Sequence, residues 1–498
     1  MIIDFKNLKK EYDFIIVGAG IAGLALSRLI KNKKTILLIE SGNFKFEKFA
    51  NKKSFAKSKN LGNWPVANYS SYHSRVRMFG GNANVWGGWC MELDNYDFTN
   101  NEVWHILQDD LKTYYKEAYN LLNISPKKIP NNELSVDGIE PYTVNVSRGN
   151  FINESKEYVL KNQNIHLLIN TNLDEILVKD SAVSAVNLKT STGETLVTKP
   201  KKLIISCGGI ETTSILLKNM PEENKNKNLG HYFMEHPQIQ IGRVKIKNSD
   251  FNKFIKEYSP PTTKHLFDDK LNIRDEKYFS GFKTKNQKVR NYFVLRSTDV
   301  YQSKALYRLR HIILTKSISS TGVIKISDFY SLFIDILNMM LRKVQNLITN
   351  YKSYSVVLHL EQNPEFQNKI YFDNENNLVL DWKFTDQDIK NITESIKDLV
   401  EIFKGVDSVL NLKTVFKREE RHVLSYINNN VFGIGHHMGT TMMGKSSESS
   451  VCNMDLKYHS LKNLYINSTS VFPSGGIANP TLTMLALTVR LAEKLNNG

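Results

Sequence analysis

A glycine-rich turn near the N-terminus constrains the fold of this chain more than any other feature. The segment "DFIIVGAGIAGLALSRLI" opens with an apolar run, Phe14 to Val17, that is typical of a strand buried on both faces of a parallel sheet. Gly18, Gly20 and Gly23 follow in the spacing G-x-G-x-x-G. The first glycine permits a tight turn, the second lets the backbone approach a pyrophosphate, and the third allows close helix packing. The pattern predicts a strand, turn and helix that bind a dinucleotide.

An acidic residue at the end of the next apolar run supports this prediction. The run "TILLIE" ends at Glu40, 22 residues after Gly18, where a carboxylate can accept both ribose hydroxyls of an adenosine. Ser41 and Gly42 follow it, and no Arg stands there to meet a 2′-phosphate, so NADP is disfavoured. The segment from Phe14 to Glu40 does not by itself distinguish FAD from NAD as the cofactor.

A second glycine-rich loop lies at "RMFGGNANVWGGWC", residues 77–90. Its glycines let the backbone press against a flat or charged group, and its apolar neighbours argue against a wholly exposed turn. We therefore expect Gly80, Gly81 and Asn84 to contact the cofactor.

The composition limits the class of protein. A length of 498 residues allows two or three domains, or one large two-lobed enzyme. The net charge of +16 comes mostly from scattered Lys, and without a basic stripe of interleaved aromatics no nucleic-acid partner is expected. The 3 cysteines are odd in number and widely spaced, which predicts neither a disulfide framework nor a metal site. With a charged N-terminus that leaves no room for a signal peptide, these features favour a cytoplasmic location.

The most apolar long stretch covers residues 331–348. Asp335, Arg342 and Lys343 interrupt it, so no transmembrane segment is expected. Its apolar residues recur at helical spacing, which favours an amphipathic helix facing the core. An interfacial membrane helix is the alternative interpretation.

Two adjacent histidines stand out late in the chain. His436 and His437 lie in "GIGHHMGTTMMG", and Asn479 follows in "ANPTLT". Neighbours in an extended segment point to opposite faces, so both rings can hardly serve one site, and metal ligation by the pair is not expected. A neutral imidazole is suited to accept a hydroxyl proton at neutral pH.

Five motifs occur in an order that resembles the glucose-methanol-choline (GMC) flavoprotein oxidoreductases. They are the N-terminal glycine turn, "GGNANVWGG", "LIISCGGIETTSILL", "NLGHYFMEHP" and the C-terminal "HHMGTT…ANPTLT" pattern. The resemblance covers about half of the chain and is closest to bacterial sugar-acting, pyranose-oxidase-like members. It implies an α/β fold with a Rossmann-like FAD-binding domain and a second, mixed-sheet substrate domain, the two-lobed architecture also seen in p-hydroxybenzoate hydroxylase.

The resemblance implies roles for residues in the C-terminal pattern. In the family, a histidine and a second His or Asn at this separation face the reactive edge of the flavin, and the match falls on His436 and Asn479. It implies that His436 is the general base while flavin N5 takes the hydride, with His437 as the second choice. An amide such as Asn479 would position the hydroxyl rather than transfer its proton.

Other positions carry weaker expectations. Pro480 and Thr481 open a helix whose N-terminus would face the flavin ring. Short alternating runs at residues 165–207 predict a meander of strands, which contains Leu173 and closes the adenosine side in the family fold. Ser468 stands where the family often has a carboxylate, so only backbone contact is expected there. Val85 stands where sugar-oxidising relatives carry a histidine for covalent attachment, so FAD is expected to bind non-covalently.

The function implied is that of an FAD-dependent oxidoreductase acting on a CH–OH group of a sugar or related alcohol. The FAD-binding domain is predicted at 1–100, 145–240 and 430–498, and the substrate domain at 101–144 and 241–429. Residues 245–350 match no motif, which leaves the substrate, the electron acceptor and the oligomeric state open. The alternatives are a flavin lyase, a dehydrogenase subunit for a non-sugar alcohol that passes electrons to a quinone or cytochrome partner, and a non-catalytic FAD-binding protein.

Overall fold

The structure is a computed structural model of the chain. It describes residues 2–52, 57–59, 75–126, 138–247, 278–284, 291–296, 351–404 and 431–497, together with short stretches between 329 and 349. Within these ranges, residues 4–6, 32, 148–149 and 434 are outside the description. Most of residues 245–350, for which the sequence predicts no role, therefore lies outside the described residues.

Strands and helices contribute about equally to the regular structure of the described residues. In chain order the strands are β1 (Glu11–Val17), β2 (Ile36–Ile39), β3 (Lys57–Lys59), β4 (Trp89–Cys90), β5 (Ile139–Val146), β6 (Ile165–Leu168), β7 (Thr171–Lys179), β8 (Ala182–Thr190), β9 (Thr195–Ile205), β10 (Gln238–Lys247), β11 (Tyr278–Thr284), β12 (Asn291–Arg296), β13 (Tyr351–Leu360), β14 (Lys369–Phe372), β15 (Leu378–Asp381), β16 (Val431–Phe432), β17 (Met443–Gly444), β18 (Cys452–Asn453) and β19 (Leu464–Ile466).

The α-helices of the described residues surround these strands. They are α1 (Ile21–Leu29), α2 (Lys48–Lys52), α3 (Asn95–Asn100), α4 (Glu102–Ile106), α5 (Gln108–Leu121), α6 (Phe151–Lys161), α7 (Gly208–Asn219), α8 (Asp386–Lys404) and α9 (Pro480–Asn497). Short 3-10 turns occur at Gly81–Asn84, Glu222–Asn224 and Thr469–Val471.

The first sheet has the order β6-β2-β1-β9-β8-β7, with β19 paired to β9. Strands β6, β2, β1, β9 and β19 are mutually parallel where they pair. Phe14 to Val17 are buried, as expected for a strand covered on both faces. Strands β7, β8 and β9 form the antiparallel meander predicted between residues 165 and 207. The prediction of an α/β fold with a Rossmann-like sheet is confirmed.

The second large sheet has the order β16-β10-β13-β12-β11-β5-β4, and the described pairs in it are antiparallel. A smaller sheet, β14-β15-β3, combines an antiparallel and a parallel pair. Trp382 follows β15 and is 1% exposed, and its indole N–H donates to Gln362 Oε1 at 2.7 Å. Trp382 is therefore packed in a hydrophobic core that also contains Phe293 of the second large sheet and Leu380 of the smaller sheet. It presents no open platform for a sugar.

The carboxyl ends of the parallel strands bring distant parts of the chain together. β1 leads into the glycine turn, β2 ends one residue before Glu40, and β9 ends next to Ser206. Helix α9 packs against α1 and α5, and Arg490 Nε of α9 donates to Asp110 Oδ2 of α5 at 2.7 Å. In open parallel sheets this edge is where ligands bind.

The apolar stretch 331–348 does not behave as the core-facing helix that its spacing favours. The described residues Phe333, Met340 and Val344 are 62%, 60% and 51% exposed. Among the described residues, no helix is both long and apolar enough to cross a bilayer.

Candidate active site

The glycine turn after β1 leaves open space in front of helix α1. A Cβ on Gly23 would lie 1.9 Å from the carbonyl oxygen of Gly18, so Gly23 is needed for helix packing. Gly18 has a φ of +102°, which favours glycine. A Cβ on Gly20, by contrast, would meet no atom within 4 Å. Gly20 therefore faces a space in which a group could approach the first amides of α1, and a helix N-terminus favours phosphate there.

Glu40 lies beside this space. Its side-chain oxygens accept hydrogen bonds from the backbone N–H groups of Ala19, at 3.1 Å, and Gly42, at 2.8 Å. Burial raises the pKa of Glu40, although these two amides and the nearby Arg77 act in the opposite direction. The N–H of Thr171 donates to the Glu40 carbonyl at 3.0 Å, which holds the start of β7, and with it Leu173, against the end of β2.

The second glycine-rich loop rests on the first. Gly80 donates its N–H to the carbonyl of Ala19 at 2.8 Å, and a Cβ on Gly81 would lie 3.2 Å from Cα of Gly20. Asn84 Nδ2 donates to the carbonyls of Phe79 and Gly81 at 3.0 and 2.9 Å, so its side chain braces the loop. The two predicted glycine loops thus meet at Gly20.

Two further observations fit a dinucleotide in this space. Ser206, at the end of β9, is 3% exposed, and its hydroxyl has no hydrogen-bond partner within the described residues. Gly208, the first residue of α7, has a φ of +73°, and a Cβ there would meet nothing within 4 Å. A buried hydroxyl without a partner is costly, and a ligand oxygen next to it would satisfy it.

A buried carboxylate lies behind the two adjacent histidines. Glu235 is 0% exposed, and its Oε1 accepts the backbone N–H of His436 at 2.6 Å. Its Oε2 accepts the N–H of Gly435 at 3.1 Å and lies 3.9 Å from Nε2 of His437. The N–H of Glu235 in turn donates to Gln362 Oε1 at 3.1 Å, which joins the site to the core around Trp382.

The two histidines have different surroundings, as their alternation predicts. His437 is 5% exposed, and its ring lies 5.9 Å from that of Phe233. Burial, with a smaller effect of the Arg75 charge, lowers the pKa of His437 to about 3. His436 remains partly exposed. His436 is therefore the accessible member of the pair, and His437 is packed into the protein.

A third histidine contacts His436. The Nδ1 atoms of His236 and His436 are 3.1 Å apart, and the two rings meet edge to face. Burial lowers the pKa of His236 to about 4. Burial is the largest cause that lowers the pKa of His436 well below its usual value, and a proton on His236 or His437 would lower it further. All three rings are therefore neutral at neutral pH.

The loop that ends at Asn479 reaches the same cluster. A Cβ on Gly475 would lie 3.1 Å from Nε2 of His236, so this loop covers the His236 ring. Asn479 is 8% exposed, and its Oδ1 accepts from the hydroxyl of Tyr292 at 3.4 Å. His236 thus contacts His436 on one side and the loop that leads to Asn479 on the other.

The remaining predicted positions flank this loop. Ser468 is buried, and its hydroxyl accepts a hydrogen bond from the N–H of Ser470. The Ser468 side chain thus caps the start of the 3-10 turn Thr469–Val471. Pro480 is the first residue of α9, and Thr481 in its first turn is partly exposed. The helix begins where the sequence predicts.

Sequence reasoning missed several residues of the site. Glu235 and His236 stand in the quoted "NLGHYFMEHP", and an acid–histidine pair followed by proline was a signal for them. Arg75 and Arg77 both contact the carboxylate of Glu211, at 2.5 and 2.7 Å. The R-x-R spacing just before the second glycine loop was the only sign of this ion-pair cluster.

Parts of this chain match known proteins. Residues 367–488 match the family described as GMC oxidoreductase, C-terminal domain. A 61-residue segment is 39% identical to the C-glycoside 3-oxidase of Arthrobacter globiformis, a match that covers 12% of each chain. The chain thus aligns with only a small part of that relative.

Solved structures share the whole fold. The pyridoxine 4-oxidase from Mesorbium loti is similar over 98% of this chain and 99% of its own, with a TM-score of 0.62 and 13% identity. A formate oxidase from Aspergillus oryzae, in a structure concerned with FAD modification, is similar over 98% of each chain with a TM-score of 0.59 and 13% identity. Residues 367–488 of this chain thus match the GMC oxidoreductase family, and the fold of the chain as a whole is similar to that of these two oxidases.

Proposed function

We propose that this protein is an FAD-dependent oxidoreductase that oxidises a CH–OH group of a sugar or a related alcohol. The observation that carries the proposal is the meeting of two loops at His236, one with the accessible His436 and the other leading to Asn479. The sugar is favoured by the short match to a C-glycoside 3-oxidase. The match of residues 367–488 to the GMC oxidoreductase family and the space around Gly20 support FAD.

The cofactor would be held without a covalent bond. Gly18, Gly20 and Gly23 would present the α1 amides to its phosphates, and Glu40 would accept its ribose hydroxyls. The second glycine loop and the start of α9 would contact the rest of the cofactor through backbone groups. The residues proposed for these further contacts are Gly80, Gly81, Asn84, Leu173, Ser468, Pro480 and Thr481.

The proposed chemistry divides the alcohol's hydrogens between two acceptors. Bound flavin supplies the hydride acceptor, while His436 takes the hydroxyl proton, and a carbonyl product remains. His436 can accept that proton because its ring is neutral. Asn479 orients the alcohol: its Oδ1 is engaged by Tyr292, so its Nδ2 hydrogens are the ones directed to a substrate oxygen.

The division into domains follows the same proposal. The FAD-binding domain comprises 1–100, 145–240 and 430–498, and the substrate domain 101–144 and 241–429. We also propose a cytoplasmic location, which suits a chain whose three cysteines are all free.

A substrate panel tests the function. The purified yellow protein is mixed anaerobically with sugars and alcohols, and loss of the oxidised flavin's visible absorbance is followed. We expect at least one sugar to reduce the flavin, and subsequent mixing with oxygen separates an oxidase from a dehydrogenase. A colourless protein that does not take up FAD contradicts the proposal. A bound flavin that no sugar or alcohol reduces also contradicts it, and favours a non-catalytic FAD-binding protein.

A second candidate is a dehydrogenase subunit that passes electrons to a quinone or cytochrome partner. The exposed apolar side chains of Phe333, Met340 and Val344 favour it, because such a surface suits docking. Slow reoxidation by oxygen together with fast reoxidation by a soluble quinone would select this candidate.

A further inference from the structure

The contact between His236 and His436 restricts where the protons of both rings can lie. A hydrogen bond between two neutral imidazoles needs an N–H on one nitrogen and a lone pair on the other. The two Nδ1 atoms, 3.1 Å apart, must therefore differ. Either His436 carries its proton on Nδ1 and has a bare Nε2, or His236 does and His436 carries its proton on Nε2. Only the first arrangement leaves His436 able to accept a proton at Nε2.

The surroundings of His236 favour the first arrangement. The backbone of Gly475 lies beside its Nε2, and backbone groups of Gly475 and Gly476 act to raise the pKa of His236, against the larger effect of burial. A backbone group that raises the pKa of a histidine accepts from the ring, so these groups are carbonyls. The contacts are loose, since Nε2 makes no hydrogen bond of full geometry within the described residues. A proton on this nitrogen is nevertheless better placed there than a lone pair.

Glu235 fixes the distance between the two rings. Its Oε1 accepts the backbone N–H of His436 at 2.6 Å and that of His236 at 3.0 Å. One carboxylate oxygen thus holds the backbones of both histidines, although they are 200 residues apart in the chain. Because Glu235 is 0% exposed, water does not compete for these bonds.

We propose that His236 is a positioning residue that sets the tautomer of His436, so that His436 presents a bare Nε2 to the substrate hydroxyl. This inference rests on the proposed function of His436. Within the described residues, Nδ1 of His436 bonds to His236, and no side-chain hydrogen bond is made by its Nε2.

The tautomer of His436 with its proton on Nδ1 also suits the protonated form of this ring. When His436 takes a proton at Nε2, its Nδ1 proton remains donated to the lone pair of His236. The resulting cation keeps a hydrogen-bond acceptor in a site that is otherwise poorly solvated, and such charge-assisted bonds are the stronger ones. In the opposite tautomer, protonation of His436 at Nδ1 would place two N–H groups against each other.

Two substitutions of His236 separate this role from a purely structural one. In His236→Asn the amide oxygen can replace Nδ1 as the acceptor and the amide nitrogen can face the glycine carbonyls, whereas His236→Leu fills similar space without polar atoms. We expect His236→Leu to slow flavin reduction roughly 10- to 100-fold at unchanged KM. His236→Asn should stay within a few-fold of the wild type. If the two variants are equally slow at equal FAD content, the proposal is overturned.

A measurement without turnover decides the tautomer directly. In the FAD-bound protein labelled with ¹⁵N-histidine, NMR should report His436 with its proton on Nδ1, and His236→Leu should shift it toward Nε2. A wild-type spectrum with the His436 proton on Nε2 contradicts the proposal, and this result does not depend on either variant folding. If no substrate reduces the flavin, the proposed function fails while the tautomer can still be read.

Discussion

The backbone N–H of His436 donates a 2.6 Å hydrogen bond to the buried carboxylate of Glu235, which comes from a segment 201 residues earlier. The same oxygen accepts from His236, and the other oxygen accepts from Gly435. The two oxygens of a carboxylate can accept hydrogen bonds from all three backbone N–H groups. The side-chain amide of a Gln has only one acceptor oxygen and cannot replace it fully.

Glu235→Gln should therefore loosen the histidine loop. Its new NH₂ group must face one of the three backbone N–H groups, which leaves a buried donor unsatisfied at a cost of about 1–3 kcal/mol. We expect lower thermal stability and a slower flavin reduction with FAD still bound. Glu222→Gln, in an exposed turn with high side-chain exposure, is the control and should match the wild type. Wild-type stability and rate in Glu235→Gln would show that the carboxylate does not hold the loop.

His436→Ala should purify yellow yet reduce its flavin about 10²- to 10⁴-fold more slowly, the usual effect of losing a general base. Stopped-flow absorbance with the best substrate of the panel measures the rate. His105→Ala removes an exposed histidine on α4 and serves as the matched control. Unchanged reduction in His436→Ala would move the role to another residue, and His437→Ala is then the next variant to measure.

The pH dependence of reduction should reflect the lowered pKa of His436. Burial and the neighbouring rings disfavour its charged form, so the neutral base persists to a lower pH than for an ordinary histidine. The rate should therefore hold constant as the pH falls through 6.5 and decline only well below it. Stopped-flow reduction in buffers of constant ionic strength gives this profile. A midpoint at or above the ordinary histidine value contradicts the assignment.

Two glycines of the first turn should respond differently to alanine. Gly20→Ala meets no protein atom, so the chain should fold normally, while the added methyl occupies space predicted for the pyrophosphate and weakens FAD binding. Gly23→Ala places its methyl 1.9 Å from the Gly18 carbonyl oxygen and should destabilise the fold itself. Thermal unfolding of the apoprotein and FAD titration separate the two effects. Normal FAD affinity in Gly20→Ala would argue against a phosphate at this turn.

Local sequence patterns predicted the parts of the molecule that depend on neighbours in the chain. The strand, turn and helix around Gly18, the meander of β7 to β9 and the start of α9 at Pro480 each follow from a short pattern. Alternation along the chain also predicts that His436 and His437 do not both serve one site. The roles of His436 and Asn479, and the domain limits, stay predictions.

Contacts between distant segments could not be predicted in this way. Nothing in the residues around His436 indicates that His236 and Glu235 lie against it, because that contact depends on how β10 and the C-terminal loops pack. For the stretch 331–348, a local pattern was visible in the sequence but did not determine which surface the apolar residues would face. Helical spacing reports that one face is apolar, but not what covers it, and Phe333 and Met340 are exposed.

Strand β19 adds to the edge of β9 and lies, with α9, near the C-terminal end of the chain. During synthesis, β9 emerges long before β19, so the edge of β9 at residues 203–205 is bare until residues 464–466 leave the ribosome. An open edge is a template for pairing with other chains. A fragment that stops short of β19 should therefore aggregate more readily than the chain that includes it, even though its dinucleotide turn is whole.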